Sequence, residues 1–437
     1  MNSIAEFLAN KLSKRQVVDG SHTEGWAVCN RFPHAVVSPD NETQVAQILS
    51  LASAEGWVCV PSGKGTWLKG GHPPKAVDVV INMANMDHVS AYEPDDLFIT
   101  TETGLGLDIL SRYALDRGQW LPFDPPGVKG GSIGATISTA SAGSLQAGFG
   151  RPRDHILGVT LATGDGRLLR LGGKVVKNVA GFDLLKLAIG SWGTLGVLTS
   201  VTVRLHPAPV LDRTLLFQGT DVSSAARLAN AISRSRASFA AVEMITSGEQ
   251  EDKGIYSLPF VAVRILEPLP VAEEITRIIC EQVHATPFMC LEGKDSQLIF
   301  DDIQTMENNA EMVLRLSLLP SKLSNLVERT KELRELVDPN VDRGIRMAAH
   351  ASTGVLRIMI ARLNRRKGWL EMLASSLSNL RYLLESEGGS MVISQGPPEI
   401  VEIVGARGKL GSVTELMRGL QKEFDPSSIL APERIIG

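Results

Sequence analysis

Residues 57–71 read WVCVPSGKGTWLKGG, a run of strand-forming residues that passes directly into a loop with four glycines. Glycines there let backbone N–H groups approach an anion closely, because no Cβ atom intervenes, and successive N–H groups form an anion-binding concavity. A tight glycine turn without a ligand is the alternative for this loop taken alone. The chain lacks a GxGxxG fingerprint at a first strand–helix junction, and the Gly-Lys spacing of the loop is not that of a P-loop.

Two more glycine clusters lie in the same half of the chain. Residues 127–150 hold seven glycines among small residues, including Gly130-Gly131-Ser132-Ile133-Gly134, and a third cluster spans Gly190–Gly196. Apolar residues recur in the second cluster and it contains no proline, which argues against low-complexity disorder. We therefore expect ordered loops. Three of them offer enough backbone donors for a large dinucleotide.

Strand and helix patterns surround these loops. Residues 35–60 alternate as strand, helix and strand, with the helix expected over Glu42–Glu55, and Asp165-Gly166 is typical of a hairpin turn. Beyond about residue 210, strand candidates at 213–219, 260–266, 312–320 and 355–363 alternate with helix candidates at Ser223–Ser235, Val271–Val283, Lys322–Leu336 and Gly368–Glu387. This alternation predicts an α+β cap with an antiparallel sheet covered on one face.

Composition excludes several classes of function. The 437 residues carry 44 basic and 48 acidic side chains, a balance too near neutral for a nucleic-acid-binding protein or a strongly electrostatic membrane contact. The four cysteines form no CxxC pair and lack the spacing of an iron–sulfur cluster, which predicts reduced thiols in a cytosolic (cytoplasmic) protein. The N-terminus reads as an amphipathic helix rather than a signal peptide, and no apolar run is long enough to span a bilayer. Membrane association would have to go through a partner.

With these motifs in place, residues 35–206 resemble the FAD-binding domain of the vanillyl-alcohol oxidase/p-cresol methylhydroxylase superfamily. The first loop resembles its pyrophosphate loop, the second its flavin-contacting segment, and residues 193–197 its closing motif near the adenosine. The resemblance implies a two-subdomain FAD-binding domain with an α+β cap. The FAD contacts it implies are Pro61, Ser62, Gly63, Lys64, Gly65, Thr66, Trp67, Pro122, Gly130, Gly131, Ser132, Gly134, Ala135, Thr136, Ser138, Gly190, Gly193, Thr194, Gly196 and Val197.

Other motifs resemble the FAD-binding E subunits of bacterial glycolate oxidase. They are GGKVVKNVAGFD at 172–183, and Phe424-Asp425-Pro426 followed by Ile429-Leu430-Ala431-Pro432 near the C-terminus. This resemblance implies a subunit of a complex that oxidises glycolate, a 2-hydroxy acid, to glyoxylate. Its implied partners are a D-type FAD-binding subunit and an F-type iron–sulfur subunit, which would receive the electrons. The implied domains are 1–206 for FAD, 207–395 for the cap and 396–437 for a C-terminal segment that returns to the FAD domain.

The first loop departs from the family pattern in three places. Lys64 stands where a glycine is usual and Trp67 where a small residue is usual. Lys64 could add a cation beside the pyrophosphate or point into solvent. Thr66 stands where covalent relatives carry a flavin-linking histidine, which implies noncovalent FAD. His72 is the only nearby candidate for a link, and an exposed loop histidine is the expected alternative.

Oxidation of a 2-hydroxy acid requires a base for the hydroxyl proton and a cation for the carboxylate. Catalytic relatives carry a segment resembling HAGDGNLH and a later Glu-His pair. Here residues 350–357 read HASTGVLR, so His350 is retained and Arg357 replaces the second histidine, and residues 388–396 contain no Glu-His pair. We therefore expect no metal site. His350 is the candidate base or substrate contact, with a structural histidine as the alternative, and Arg315, Arg346 and Arg357 are candidate carboxylate contacts.

Two other functions are open at this point. One is a self-sufficient FAD-dependent dehydrogenase for a 2-hydroxy acid such as D-lactate. The other is a subunit whose FAD is structural and performs no chemistry, which the depleted histidine set favours.

Overall fold

The computed structural model describes residues 3–127, 130–173, 183–246, 258–337, 344–408 and 411–435. Most of the motif at 172–183 therefore lies outside the described residues. Within them, helices and strands alternate as two sheet-containing units followed by a larger cap and a C-terminal segment.

The first unit contains a four-stranded sheet. Its elements are α1 (Ile4–Lys11), β1 (Val17–Asp19), β2 (Ala35–Val37), α2 (Glu42–Glu55), β3 (Cys59–Ser62) and β4 (Val79–Asn82). The strand order is β1-β2-β4-β3, with β2, β4 and β3 parallel. Asn41 caps α2 by accepting a hydrogen bond from the Gln44 N–H, and Gly56 ends it with a φ of 74°. The predicted bounds of this helix are confirmed, whereas β3 begins two residues later than expected.

The second unit contains a five-stranded antiparallel sheet in the order β5-β6-β10-β8-β9 and a small pair of β7 with β11. Its elements are β5 (Val89–Glu93), β6 (Phe98–Glu102), α3 (Leu107–Leu115), β7 (Gln119–Trp120), α4 (Ile133–Thr139), α5 (Gln146–Phe149), β8 (Ile156–Ala162), β9 (Leu168–Gly172), α6 (Leu185–Ala188), β10 (Val197–Arg204) and β11 (His206–Pro207). Residues 130–150 of the second glycine cluster are ordered as predicted, because α4 buries Ile133 and Ile137 against β10.

The cap contains an eight-stranded sheet, in which every described pairing is antiparallel. Its elements are β12 (Arg213–Gln218), α7 (Val222–Ser233), β13 (Ala241–Ile245), β14 (Phe260–Ile265), α8 (Leu269–Val283), β15 (Met289–Glu292), α9 (Gly293–Thr305), β16 (Met312–Ser317), α10 (Leu323–Glu328), β17 (Ile345–His350), β18 (Val355–Ile360), α11 (Trp369–Ser386), β19 (Ser390–Gln395) and α12 (Pro398–Val404). The helix expected over Lys322–Leu336 is divided into α10 and a 3₁₀ segment over Lys331–Leu336.

Different helices cover the two faces of the cap sheet. Helices α7, α8, α10 and α11 bury the apolar residues of one face, and α9 packs on the other through Phe300 and Ile303. The prediction of one covered face is therefore incomplete. The α9 side meets the second unit, where the Gly148 N–H donates to the Ala240 carbonyl at 3.1 Å and the Gly127 N–H to the Gln304 carbonyl at 2.8 Å.

The C-terminal segment divides its contacts between the units. Helix α12 packs in the cap core through Ile400 and Val401. After α13 (Val413–Phe424), residues 429–431 run beside β3: the Cys59 N–H donates to the Ile429 carbonyl, and the Ala431 N–H donates to the Cys59 carbonyl. The domain boundaries at 206 and 395 stay a prediction.

Candidate functional site

The three glycine-rich loops meet in the folded chain. A Cβ atom on Gly63 would lie 1.9 Å from Ser132 Oγ, so the first loop and the start of α4 are in direct contact. Gly193 has a φ of 76°, and a Cβ there would lie 2.3 Å from Pro61 Cγ. The third loop therefore packs against the first. Larger residues are excluded from these contacts on steric grounds.

A first cavity of about 630 Å³, open to solvent, lies where these loops meet. The predicted contacts that line it are Pro61, Ser62, Gly63, Gly65, Thr66, Trp67, Ser132, Gly134, Ala135, Ser138, Gly193, Gly196 and Val197. Sequence reasoning missed further lining residues, namely Leu68, Met83, Thr103, Thr139, Trp192, Leu198 and Arg434. Of these, Leu68, Thr139 and Trp192 lie in the three glycine-rich stretches, and the other four lie outside them.

Four predicted contacts line neither this cavity nor its neighbour: Pro122, Thr136, Gly190 and Thr194. Thr136 donates its hydroxyl to the Ser132 carbonyl at 3.2 Å, and Thr194 donates to the Ser191 carbonyl at 2.7 Å. Gly190 has a φ of 81° and its N–H donates to the Ile137 carbonyl. Thr136, Thr194 and Gly190 therefore stabilise the conformation of the loops without lining a cavity.

A second, wider cavity of about 1320 Å³ adjoins the first along residues 65–68 and reaches the cap. The predicted contacts Lys64, Gly130 and Gly131 line it, and the cap contributes Glu307, Asn308, Ser394 and Gln395. Lys64 is exposed and is absent from the lining of the first cavity. The FAD loops and the cap thus share one continuous cleft.

Behind Glu307 lie two of the predicted arginines. Arg315 and Arg357 are paired across β16 and β18, so their side chains lie on the same face of the sheet, the face that also carries α9. One oxygen of Glu307, Oε1, is 3.2 Å from Arg357 Nη1 and 3.5 Å from Arg315 Nη2. Arg357 is 2% exposed and Glu307 is 8% exposed. Burial lowers the pKa of Arg315, which Glu307 partly offsets.

The other two predicted catalytic residues lie away from both cavities. His350 is 5% exposed, and its Nδ1 forms a hydrogen bond with Glu243 Oε1 on the neighbouring strand β13. Arg346 pairs with Asp302 at 3.2 Å. Strand alternation places all four residues on the α9 side of the sheet, which sequence periodicity alone left undecided. None of the four lines either cavity, whereas Glu307, which no motif indicated, lines the second.

Asp124 lies where the second unit meets this polar part of the cap. Its Oδ2 accepts a hydrogen bond from the Leu145 N–H at 3.0 Å. Burial raises the pKa of Asp124 to about 6, with a further raising effect of Glu243 and opposing effects of the Leu145 bond, Arg264 and His350. A buried carboxyl group with a pKa near 6 therefore lies within electrostatic range of His350.

The residues present fit a dinucleotide such as FAD. The N–H groups of Lys64, Gly65 and Thr66 donate to no group among the described residues, so they are available to a phosphate. The absence of a Cβ at Gly63 and Gly193 lets the loops pack directly on Ser132 and Pro61, which leaves the loop backbone accessible from the cavity. His72, the candidate for a covalent link, lines neither cavity, and its Nδ1 lies 3.1 Å from the Pro73 carbonyl oxygen.

The described residues contain neither a metal-binding cluster nor a membrane-spanning helix. No group of three or more histidine, cysteine, aspartate or glutamate side chains could hold a metal ion there. In the same part of the chain, no helix has both the length and the apolar character needed to cross a membrane.

Known proteins were then compared with the chain. Residues 33–172 match the family model described as "FAD binding domain". The chain is 26% identical over 423 residues to "Glycolate oxidase subunit GlcD" of Bacillus subtilis, covering 92% of this chain and 89% of the relative. It is 25% identical over 414 residues to a "D-lactate dehydrogenase" of Archaeoglobus fulgidus, covering 92% and 91%. Among solved structures, 4-ethylphenol oxidase from Gulosibacter chungangensis superposes with a TM-score of 0.73 at 14% identity, covering 99% and 96%.

These findings define the class of protein. The chain carries an FAD-binding domain of the vanillyl-alcohol oxidase/p-cresol methylhydroxylase type with an α+β cap, which confirms the predicted fold and cofactor. It is an FAD-dependent oxidoreductase. The narrower E-subunit prediction is not confirmed. "Glycolate oxidase subunit GlcE" of Escherichia coli is 40% identical over only 119 residues, 27% of this chain and 34% of the relative, whereas the GlcD relative matches nearly end to end.

Proposed function

We propose that this chain takes part in the FAD-dependent oxidation of a small 2-hydroxy acid. The observation that carries this proposal is the second cavity, in which the FAD loops face Glu307 and, behind it, two buried guanidinium groups. Relatives named glycolate oxidase and D-lactate dehydrogenase match the chain nearly end to end, and both names denote enzymes of 2-hydroxy acids.

The charge balance behind Glu307 favours an anionic substrate. One carboxylate faces two guanidinium groups, and Arg315 Nε and Arg357 Nε have no hydrogen-bond partner among the described residues. A buried donor without an acceptor is costly, so a second carboxylate would stabilise this arrangement. We propose that the positive charges of Arg315 and Arg357 attract the carboxylate of the substrate. Because neither arginine lines a cavity, a direct contact requires Glu307 to move aside. Noncovalent FAD would supply the two-electron acceptor for the carbon that bears the hydroxyl group.

His350 stays our candidate for the group that accepts the hydroxyl proton. Its contact with Glu243 fixes the orientation of the ring and leaves Nε2 as the nitrogen available for a proton. Because His350 lines neither cavity, this role requires a small movement of the cap or a water between His350 and the substrate. Arg346 keeps a weaker claim to substrate contact because it pairs with Asp302.

The direct test is anaerobic mixing of the FAD-loaded chain with glycolate or D-lactate. We expect loss of the oxidised-flavin absorption band. Arg315→Gln should raise the substrate concentration needed for half-maximal reduction by at least about tenfold, because a charge-assisted contact is lost. Arg277→Gln is the matched control: its guanidinium is exposed on α8 and pairs with Glu274 and Glu281. A flavin that neither substrate reduces would refute the proposal and favour a structural FAD.

A His350→Asn variant tests the base separately. We expect flavin reduction to slow by at least about a hundredfold at unchanged FAD affinity, because proton abstraction is lost. Reduction at the wild-type rate would show that His350 is a structural histidine that orders Glu243.

We further propose that the chain works as an E-type subunit beside a D-type FAD-binding subunit and an F-type iron–sulfur subunit. The depleted histidine set of residues 350–357 and 388–396 and the locally higher identity to GlcE support this role. Affinity purification from the native cell, with an absorption spectrum of the recovered material, tests it. Recovery of a second flavoprotein and iron–sulfur absorption is expected.

The self-sufficient D-lactate-like dehydrogenase is the competing function, favoured by the end-to-end relative of that name. Steady-state turnover of the purified single chain with an artificial dye distinguishes the two. Sustained turnover without partners would refute the subunit role and leave the 2-hydroxy-acid chemistry intact.

A further inference from the structure

A buried arginine near the C-terminus lines the first cavity. Arg434 is 4% exposed and reaches the cavity from the segment that follows the contact of residues 429–431 with β3. Its Nη2 donates to the Trp67 carbonyl at 2.9 Å, and its Nη1 donates to the Leu68 carbonyl at 3.3 Å. The guanidinium thus holds the end of the first glycine loop, although more than 360 residues separate them in sequence.

The part of the chain that the structure describes offers no counter-charge to Arg434. Among the described residues, no carboxylate lies within ion-pair distance of its guanidinium, and the adjacent Glu433 pairs with Lys75 instead. Its remaining polar neighbour is Cys29, whose Sγ lies 3.6 Å from Nη1. Burial raises the pKa of the Cys29 thiol, so the thiol stays neutral near pH 7. The guanidinium carbon also lies 5.8 Å from the centre of the Trp192 ring.

A buried cation with only neutral partners is unfavourable unless an anion joins it. The open N–H groups of the first loop line the same cleft, and a diphosphate is the anion that suits a guanidinium fork beside a row of N–H donors. We propose that Arg434 provides the buried positive charge that holds the diphosphate of FAD, and that it couples the closing C-terminal segment to cofactor binding. This deepens the proposed function and rests on FAD occupying the first cavity.

Ligands that differ in phosphate content test the proposal. The apoprotein is titrated with FAD, with ADP, which keeps the diphosphate and adenosine, and with riboflavin, which has no phosphate. We expect Arg434→Gln to weaken FAD and ADP binding by at least about tenfold and riboflavin binding by less than about twofold. Circular dichroism and thermal unfolding verify that the variant folds.

Arg407→Gln is the matched control. The Arg407 guanidinium lies 6.0 Å from the centre of the same Trp192 ring, but the residue is exposed and lines neither cavity. We expect it to change binding of all three ligands by less than about twofold. Two results for Arg434→Gln would overturn the proposal. Equal losses of riboflavin and FAD affinity would mean that Arg434 only holds the loop in place, and unchanged FAD affinity would mean that its charge does not contribute to binding.

Arg434→Lys keeps the inference testable if the glutamine variant does not fold. A buried lysine loses its proton at lower pH than arginine does. FAD affinity of Arg434→Lys should therefore fall by at least about fivefold between pH 7 and pH 9.5, relative to wild type, with riboflavin affinity unchanged. A pH-independent ratio to wild type would refute the charge role. If the wild-type protein binds FAD but 2-hydroxy acids do not reduce the bound flavin, only the proposed oxidation is refuted.

Discussion

The two walls of the cleft are built in different ways. The first cavity is formed largely by backbone and small side chains from three loops, and Gly63 and Gly193 lie where no Cβ atom fits. The cap wall presents Glu307, held from behind by Arg315 and Arg357. The first wall depends on local glycine patterns, whereas the second depends on charged side chains that come together only when the cap strands pair. A mutation in the first wall should therefore affect cofactor affinity, and one in the second should affect stability and substrate binding.

Gly63→Ala should have the largest effect. The new Cβ would lie 1.9 Å from Ser132 Oγ, so the first loop or the start of α4 must shift. We expect FAD affinity, measured by fluorescence titration, to fall by at least about a hundredfold. Gly419→Ala on α13 is the control, because a Cβ at Gly419 meets no atom of the described residues within 4 Å. Unchanged affinity in Gly63→Ala would remove the basis for a backbone-built site.

Glu307→Ala tests the opposite wall. It leaves two buried guanidinium groups without their carboxylate, so we expect a loss of about 3 kcal/mol in the free energy of unfolding, measured with urea. FAD affinity should stay within about twofold of wild type. Glu274→Gln on the exposed Arg277 pair should give no measurable change in stability. A large loss of FAD affinity in Glu307→Ala would mean that the two walls are not separable.

Asp124→Asn tests how the buried Asp124, at the contact between the second unit and the cap, affects the pH dependence of stability. Burial raises the pKa of Asp124 to about 6, above the 3.8 of an unperturbed aspartate. The folded state therefore binds the proton more tightly, and ionisation of Asp124 lowers stability as pH rises from about 4 to 6. We expect wild type to lose roughly 2–3 kcal/mol more than Asp124→Asn over that range, in urea unfolding at several pH values. Parallel pH profiles would contradict this expectation.

Lys64→Gln should have the smallest effect. The side chain is exposed and lines only the wider cavity, so its charge is screened by solvent. We expect FAD affinity to change by less than about threefold, and the change to vanish at high salt. A loss as large as that of Arg434→Gln would assign the phosphate charge to the first loop itself, the alternative that the sequence left open.

Several features were predictable because their causes are local. Helix α2 follows from an Asn cap, apolar spacing and Gly56, and the ordering of residues 130–150 follows from recurrent apolar residues among the glycines. Strand β17, which carries His350, was not among the predicted strands, and neither was helix α9. Strand β17 pairs with its neighbour β18 and with the distant β13, and α9 packs on strands from several parts of the cap.

The sequence by itself determined the α+β fold class and predicted that three glycine-rich loops form a dinucleotide site, because close backbone approach depends on the absence of side chains at particular positions. Only the tertiary structure decided which face of the cap sheet the arginines occupy, that Glu307 stands between them and the cleft, and that Arg434 closes the first cavity. Strand register and long-range packing set the distances between charges, and the energy of a buried charge depends on those distances.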